Sequence, residues 1–162
     1  ILHPPVVPLS ATSSDIDNNG VVMRLTYGSV SFLLTADIRG EAEQYITHRL
    51  GPDLHSDVLK VPHHGSNTSS SSAFLSAVQP RVAVISVAEG NPYGHPHEDV
   101  MDRLESLGGV LLTTCDCGTI EFVTDGTGLW FSTETGCVDV RHDALCAAAV
   151  GSPPRPMTTA DF

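Results

Sequence analysis

Apolar and polar positions roughly alternate from 21 to 27 (VVMRLTY), and an apolar, β-branched run follows from 30 to 36 (VSFLLTA). Gly28-Ser29 separates them. Two such runs around a short glycine turn predict a β-hairpin. The second run ends at Thr35-Ala36-Asp37, which leaves a carboxylate at the C-terminal edge of a strand. The spacing predicts a helix over 40–50 (GEAEQYITHRL), with Glu41 and Glu43 in its first turn, His48 and Arg49 in its last, and Gly51-Pro52 as the stop. The short apolar run 57–61 (DVLKV) reads as a buried strand and leads into Pro62-His63-His64-Gly65-Ser66. The serine run 68–72 offers helix N-caps for 73–78 (AFLSAV).

The clearest strand is 81–87 (RVAVISV). A turn-rich loop follows, Glu89-Gly90-Asn91-Pro92-Tyr93-Gly94-His95-Pro96-His97. Residues 98–107 (EDVMDRLESL) form an amphipathic helix with Val100, Met101, Leu104 and Leu107 on its apolar side, ended by Gly108-Gly109. VLLTT, GTIEFVTD and GLWFSTE suggest two or three short antiparallel strands. Residues 1–20 read as a loop or linker with at most a short strand. Residues 143–150 read as a short helix inside a poorly ordered tail spanning 136–162. The order is that of an α/β layered protein with a mixed sheet and flanking helices. In such sheets the ligand-binding groups collect on loops beyond the strand ends. Three loops here carry chemistry: those after 30–36, 57–61 and 81–87.

Charge narrows the functions. Lys+Arg total 8 against Asp+Glu 19, a net charge of −11. Generic nucleic-acid binding by a basic face needs clustered Lys and Arg, and the chain has a single lysine, Lys60. A phosphate-bearing substrate would need local positive charge of another kind, such as a metal ion. No apolar run approaches the roughly 18 residues of a membrane span. The four cysteines (Cys115, Cys117, Cys137, Cys146) are too few for a disulfide scaffold and lean mildly towards a reducing compartment. The C-x-C pair reads as a strand turn. The opening residue, Ile1 rather than Met, suggests a fragment or a processed product.

Asp37 offers a hard oxygen ligand, and His63, His64, His95 and His97 offer imidazole nitrogens. Carboxylate with imidazole suits zinc, manganese or iron. A hydroxide held by such a site attacks phosphorus or a carbonyl carbon, and an unligated histidine nearby can bind an oxyanion or protonate a leaving group. The histidine pair is the strongest signal, because the glycine after it permits a sharp turn and no apolar run encloses it. His3, His48, His55 and His142 read as surface residues.

These segments resemble the C-terminal half of the metallo-β-lactamase-fold domain of ComEC-type competence proteins. The stretches that carry the resemblance are LHPP at 2–5, NNGVVMRLTYGSVSFLLTADI at 18–38, DVLKVPHHGSNTSSSSAFL at 57–75, PRVAVISVAEGNPYGHPHEDVMDRL at 80–104 and GTIEFVTDG at 118–126. The resemblance implies an αββα sandwich of which 21–135 are the C-terminal part. It also implies a two-metal hydrolase site, holding zinc or manganese, that acts on DNA entering a transformable bacterium. The parent would be a multi-pass membrane protein whose channel region and N-terminal half-domain are this chain's partners. By motif position, Asp37 and His64 would bind metal, and His63 would touch substrate. His95 would contact substrate or act as acid/base, with ligation as the lesser alternative. Ser66, Asn67, Asn91, Tyr93 and His97 would bind substrate or support the loops.

Three departures stand against that pattern. Thr35-Ala36-Asp37 replaces T-G-D, which adds a methyl where the backbone would need positive φ or a close approach. Gly20 stands where such proteins commonly hold Ser. No H-x-H-x-D-H segment occurs, so most metal ligands are missing and the isolated chain is expected to bind metal weakly and hydrolyse little. Two other readings remain: a non-catalytic remnant or binding module of the same fold, and another hydrolase of the superfamily acting on phosphate esters or lactams.

Overall fold

The computed structural model describes residues 1–140 and the backbone at 155–156; the helix and most of the tail expected beyond 140, with His142 and Cys146, lie outside the described residues. A five-stranded mixed sheet holds β1 (Met23–Tyr27), β2 (Val30–Leu34), β3 (Val58–Lys60), β4 (Val82–Ile85) and β5 (Val110–Thr113), in that spatial order. The hairpin β1–β2 is antiparallel, and β2 to β5 run parallel. The connections are α1 (Gly40–Leu50), α2 (Ser72–Val78) and α3 (Glu98–Glu105). Each parallel strand lies beside its predecessor, so right-handed crossovers place all three helices on one face of the sheet. All three C-terminal tips that carry the expected chemistry therefore emerge along the same edge.

The helix-facing side of the sheet presents Leu33, Leu59, Ile85 and Leu111, each buried, against core residues such as Ile46, Phe74 and Leu104. Burying a side chain of this size contributes about 1.5–3 kcal/mol. The opposite face carries Phe32, Val58, Val82 and Val110 in register. A second sheet, β6 (Ile120–Thr124) and β7 (Leu129–Thr133) with a short β8 (Arg155–Pro156), covers part of that face. The ring of Phe122 meets Phe32 edge-on at 5.8 Å between centroids. The two hairpin turns also touch. The Ser29 N–H donates to Gly126 O at 2.7 Å, and a Cβ at Gly28 would lie 2.1 Å from that same oxygen. Gly28 is required there by contact as well as by its φ of 60°.

The two acids of the first α1 turn do more than complement a helix dipole. Glu41 accepts from Ser13 N–H at 2.8 Å and from Asn18 Nδ2 at 3.1 Å, which ties the N-terminal segment down. Glu43 is fully buried and accepts from the backbone N–H groups of Ser70 and Ser71. Ser71 in turn caps α2, as the serine run suggests.

Four expectations need correction. The run at Val110–Thr113 is not part of an antiparallel meander; it joins β4 in parallel, and all four of its residues are buried. A strand covered on both faces carries no alternation to distinguish its partner. Cys115 and Cys117 lie in a single helical turn, α4 (Thr114–Cys117), and Cys117 is bonded to Cys137. Leu107 lies past the end of α3 and is exposed. His3 is no surface residue: it is wholly buried, its Nε2 within 2.7 Å of Asn18 O and its ring edge-on to Tyr45. Its neighbours Leu2 and Val22 bridge the N-terminal segment to the start of β1. His48 and His55 are exposed, as expected.

Candidate functional site

The three tips are joined to one another through the backbone. The His63 N–H, after β3, donates to Ala36 O, after β2, at 3.1 Å. The His97 N–H, beyond β4, donates to Gly65 O at 3.0 Å. Gly65 could hold no other residue: its φ is 80°, and a Cβ there would lie 2.6 Å from Cβ of Pro96. The histidine turn and the loop 88–97 are thus in direct contact.

His63 and His64 both adopt left-handed backbone, with φ of 49° and 55°. Ala36 does too, at φ 47°. This backbone is costly for residues bearing a Cβ, and clusters of it mark functional sites. Here it turns the two neighbouring imidazoles towards different partners. His64 Nε2 lies 3.4 Å from Asp37 Oδ1, while its Nδ1 lies 2.6 Å from Ser86 O. A carbonyl can only accept, so His64 Nδ1 carries a proton and the lone pair of that tautomer is at Nε2. That lone pair faces a carboxylate oxygen. His63 faces the other way, with its ring 5.9 Å from that of His95, which lies 5.0 Å from His97 and stacks on Tyr93 at 5.7 Å.

Asn91 organises the loop after β4. Its Oδ1 accepts from Tyr93 N–H and His95 N–H, and its Nδ2 donates to Ala88 O and His95 O. Ser66 is buried and shares a hydrogen bond with Thr68 Oγ1, whereas Asn67 is exposed on the same turn. The expected residues therefore fall into two groups, Asp37 with His64 and His63 with His95, His97 and Tyr93, flanked by Asn91 and Ser66.

Electrostatics couple these groups. Burial, then repulsion from His97, His63 and His64, holds His95 below the ordinary imidazole range, with Asp37 opposing. Burial lowers the pKa of the Lys60 ammonium, again with Asp37 opposing. The Lys60 and Asp37 side chains are thus near enough for their charges to interact. The sequence also hid two features of the site. Asp17, bridged to Arg39 at 2.6 Å, lies near enough to His63 for their charges to interact. A cleft of about 440 Å³, lined by His64, Ser86, Val87, Tyr93, His95 and Thr114, opens beside the histidines. The D-N-N-G run at 17–20 was the available signal for the first feature. Nothing marks Val87 or Thr114 in the sequence.

One departure has a structural counterpart. A Cβ at Gly20 would lie 3.1 Å from Cβ of Ala36 and 3.0 Å from Asp17 O. The methyl at 36 borders the space that a side chain at 20 would need.

Two lone-pair donors at 3.4 Å suit a shared cation, so Asp37 and His64 fit a metal as far as they go. Among the described residues, no cluster of three or more His, Cys, Asp or Glu side chains is placed to complete such a site. No described helix is long and apolar enough to cross a membrane.

Fold and site together define an α/β protein with a carboxylate and a histidine cluster beyond the C-terminal tips of parallel strands. No protein-family model matches the chain. It is similar to competence protein ComA of Neisseria gonorrhoeae, 42% identical over 110 residues. It is likewise similar to ComE operon protein 3 of Bacillus subtilis (37% over 106 residues) and recombination protein 2 of Haemophilus influenzae (38% over 120 residues). These matches cover 67%, 65% and 74% of the chain but only 16%, 14% and 14% of the relatives.

Proposed function

We propose that this chain is part of a metal-dependent phosphodiesterase of the metallo-β-lactamase fold, acting on DNA within a larger, membrane-anchored competence protein. The observation that carries the reading is the pairing of His64 Nε2 with Asp37 Oδ1 at the meeting point of three strand tips. The similarity to competence proteins supports the setting.

Asp37 and His64 would hold a zinc or manganese ion, with further ligands from outside this chain. A metal there would supply Lewis acidity towards a phosphoryl oxygen and acidify a bound water. The Ser86 carbonyl keeps His64 in the tautomer that leaves Nε2 free. His63 and His95, whose rings meet edge-on at 5.9 Å, would contact the phosphate and deliver a proton to the leaving oxygen. Burial and the neighbouring histidines hold His95 below its ordinary pKa, which favours its proton-free form. Asn91, Ser66 and the turn bearing Asn67 and His97 would hold that geometry.

The test joins the chain to the upstream residues of its own reading frame and measures bound metal and cleavage of single-stranded DNA. Asp37→Ala and His64→Ala are expected to lose metal and to lower cleavage by more than the roughly 10–100-fold that loss of a ligand's supporting partner costs. Cleavage that survives both substitutions would end the reading. A second reading, a non-catalytic module of the same fold, is favoured by the absence of a third ligand among the described residues. It predicts no cleavage even with the upstream residues restored.

A further inference from the structure

The cleft beside His64 has a composition that the hydrolase reading does not use. Its walls include Val87, Ala88 and the ring of Tyr93, and its volume of about 440 Å³ is that of a small-molecule site. Tyr93 is 74% exposed, yet it is not loose. Its ring stacks on His95, with planes 28° apart, and its backbone N–H is bound by Asn91 Oδ1. It is a flat aromatic surface held in place beside the site, open to solvent.

The polar groups of this wall are already engaged within the protein. Val87 N–H donates to Thr114 Oγ1 at 2.8 Å, and that hydroxyl donates to Val87 O at 2.8 Å. The Ser86 carbonyl accepts from His64, and both ends of the Asn91 amide are bound to the loop. The cleft therefore offers ring faces and methyl groups, with few groups left to read a hydrogen-bonding edge. Lys60 is tied to the Val61 carbonyl at 2.9 Å, so the lone lysine is not positioned as a phosphate contact in the cleft.

We infer that this cleft is a subsite for one unpaired nucleobase, stacked on Tyr93, next to the phosphate that faces His64. The choice of ligand rests on the phosphodiesterase reading above. A base inside a duplex has both faces covered, so only a single-stranded substrate can enter, and stacking without edge contacts gives little sequence preference. The base then supplies affinity that a chain of net charge −11 cannot obtain from lysine and arginine.

The test uses the full chain and a short single-stranded deoxyoligonucleotide with an uncharged, uncleavable methylphosphonate backbone, carrying a fluorescent 2-aminopurine. Binding is read as quenching of that base. Tyr93→Ala is expected to weaken binding roughly fivefold to a hundredfold, and Tyr93→Trp to preserve it. Thymine and adenine versions should bind within about tenfold of each other. An abasic version, competed against the fluorescent probe, should bind as weakly as the alanine variant does. The inference is overturned if wild type does not quench the probe, if Tyr93→Ala binds like wild type, or if the abasic competitor is as effective. Tyr93-dependent quenching without cleavage of ordinary DNA, with upstream residues restored, would sink the hydrolase reading and support the base subsite.

Discussion

Ala36 shows how one side chain can carry both strain and function. Its φ of 47° places a Cβ in left-handed backbone, and its carbonyl still receives the His63 N–H. Glycine there would relieve about 1–2 kcal/mol of steric cost, against about 0.5–1 kcal/mol of added chain entropy. Ala36→Gly is therefore expected to stabilise the protein by about 0.5–1 kcal/mol, read as a higher urea midpoint. A lower midpoint would show that the methyl's packing matters more than its backbone. The sequence exposed this residue only through the departure from T-G-D. It gave no sign that His63 and His64 share the same backbone state, since only glycine advertises positive φ in a sequence.

At the scale of elements, long periodic segments were legible and doubly buried or irregular ones were not. The hairpin, α1, β3, β4, α3 and the cap of α2 follow from alternation, charge placement and turn residues. Val110–Thr113 lacks a polar face, so its partner strand had to come from the fold. His3 sits among prolines that resemble a solvent loop, and its burial depends on Asn18 and Tyr45, remote in sequence. The tie between this segment and α1 is open to a pH test. The backbone N–H of Ser13 above all, then the backbone N–H of Glu41 itself, and after these the Ser13 hydroxyl and Asn18, hold Glu41 down at about 2, against burial. A carboxyl depressed in the folded state stabilises above its unfolded value of 4.5, and this contribution is lost as pH falls through about 2. Wild type should therefore lose more stability between pH 5 and pH 2 than Glu41→Gln does, measured by urea unfolding across that range. Parallel losses in the two proteins would show that the tether contributes nothing in the folded state.

For the whole molecule, the telling feature is an uncovered strip. Met23, Leu25 and Tyr27 of the edge strand β1 share a face with Leu34, and Leu25 and Tyr27 are 60% and 61% exposed. The second sheet reaches this strip at Tyr27, where the Gly126 turn lies beside the ring, and leaves most of it open. An apolar face on an unpaired edge invites association. The isolated chain is expected to self-associate with rising concentration in sedimentation velocity, and Leu25→Lys to shift it towards monomer at unchanged helix content. Equal sedimentation of the two proteins would mean that the strip is innocuous.

The crowding between positions 20 and 36 has an evolutionary implication. A side chain at 20 would press on the methyl at 36 at 3.1 Å, a contact that only a small shift of the neighbours relieves, so the residue tolerated at one position depends on the residue at the other. A lineage is freest to change either position while the other is glycine.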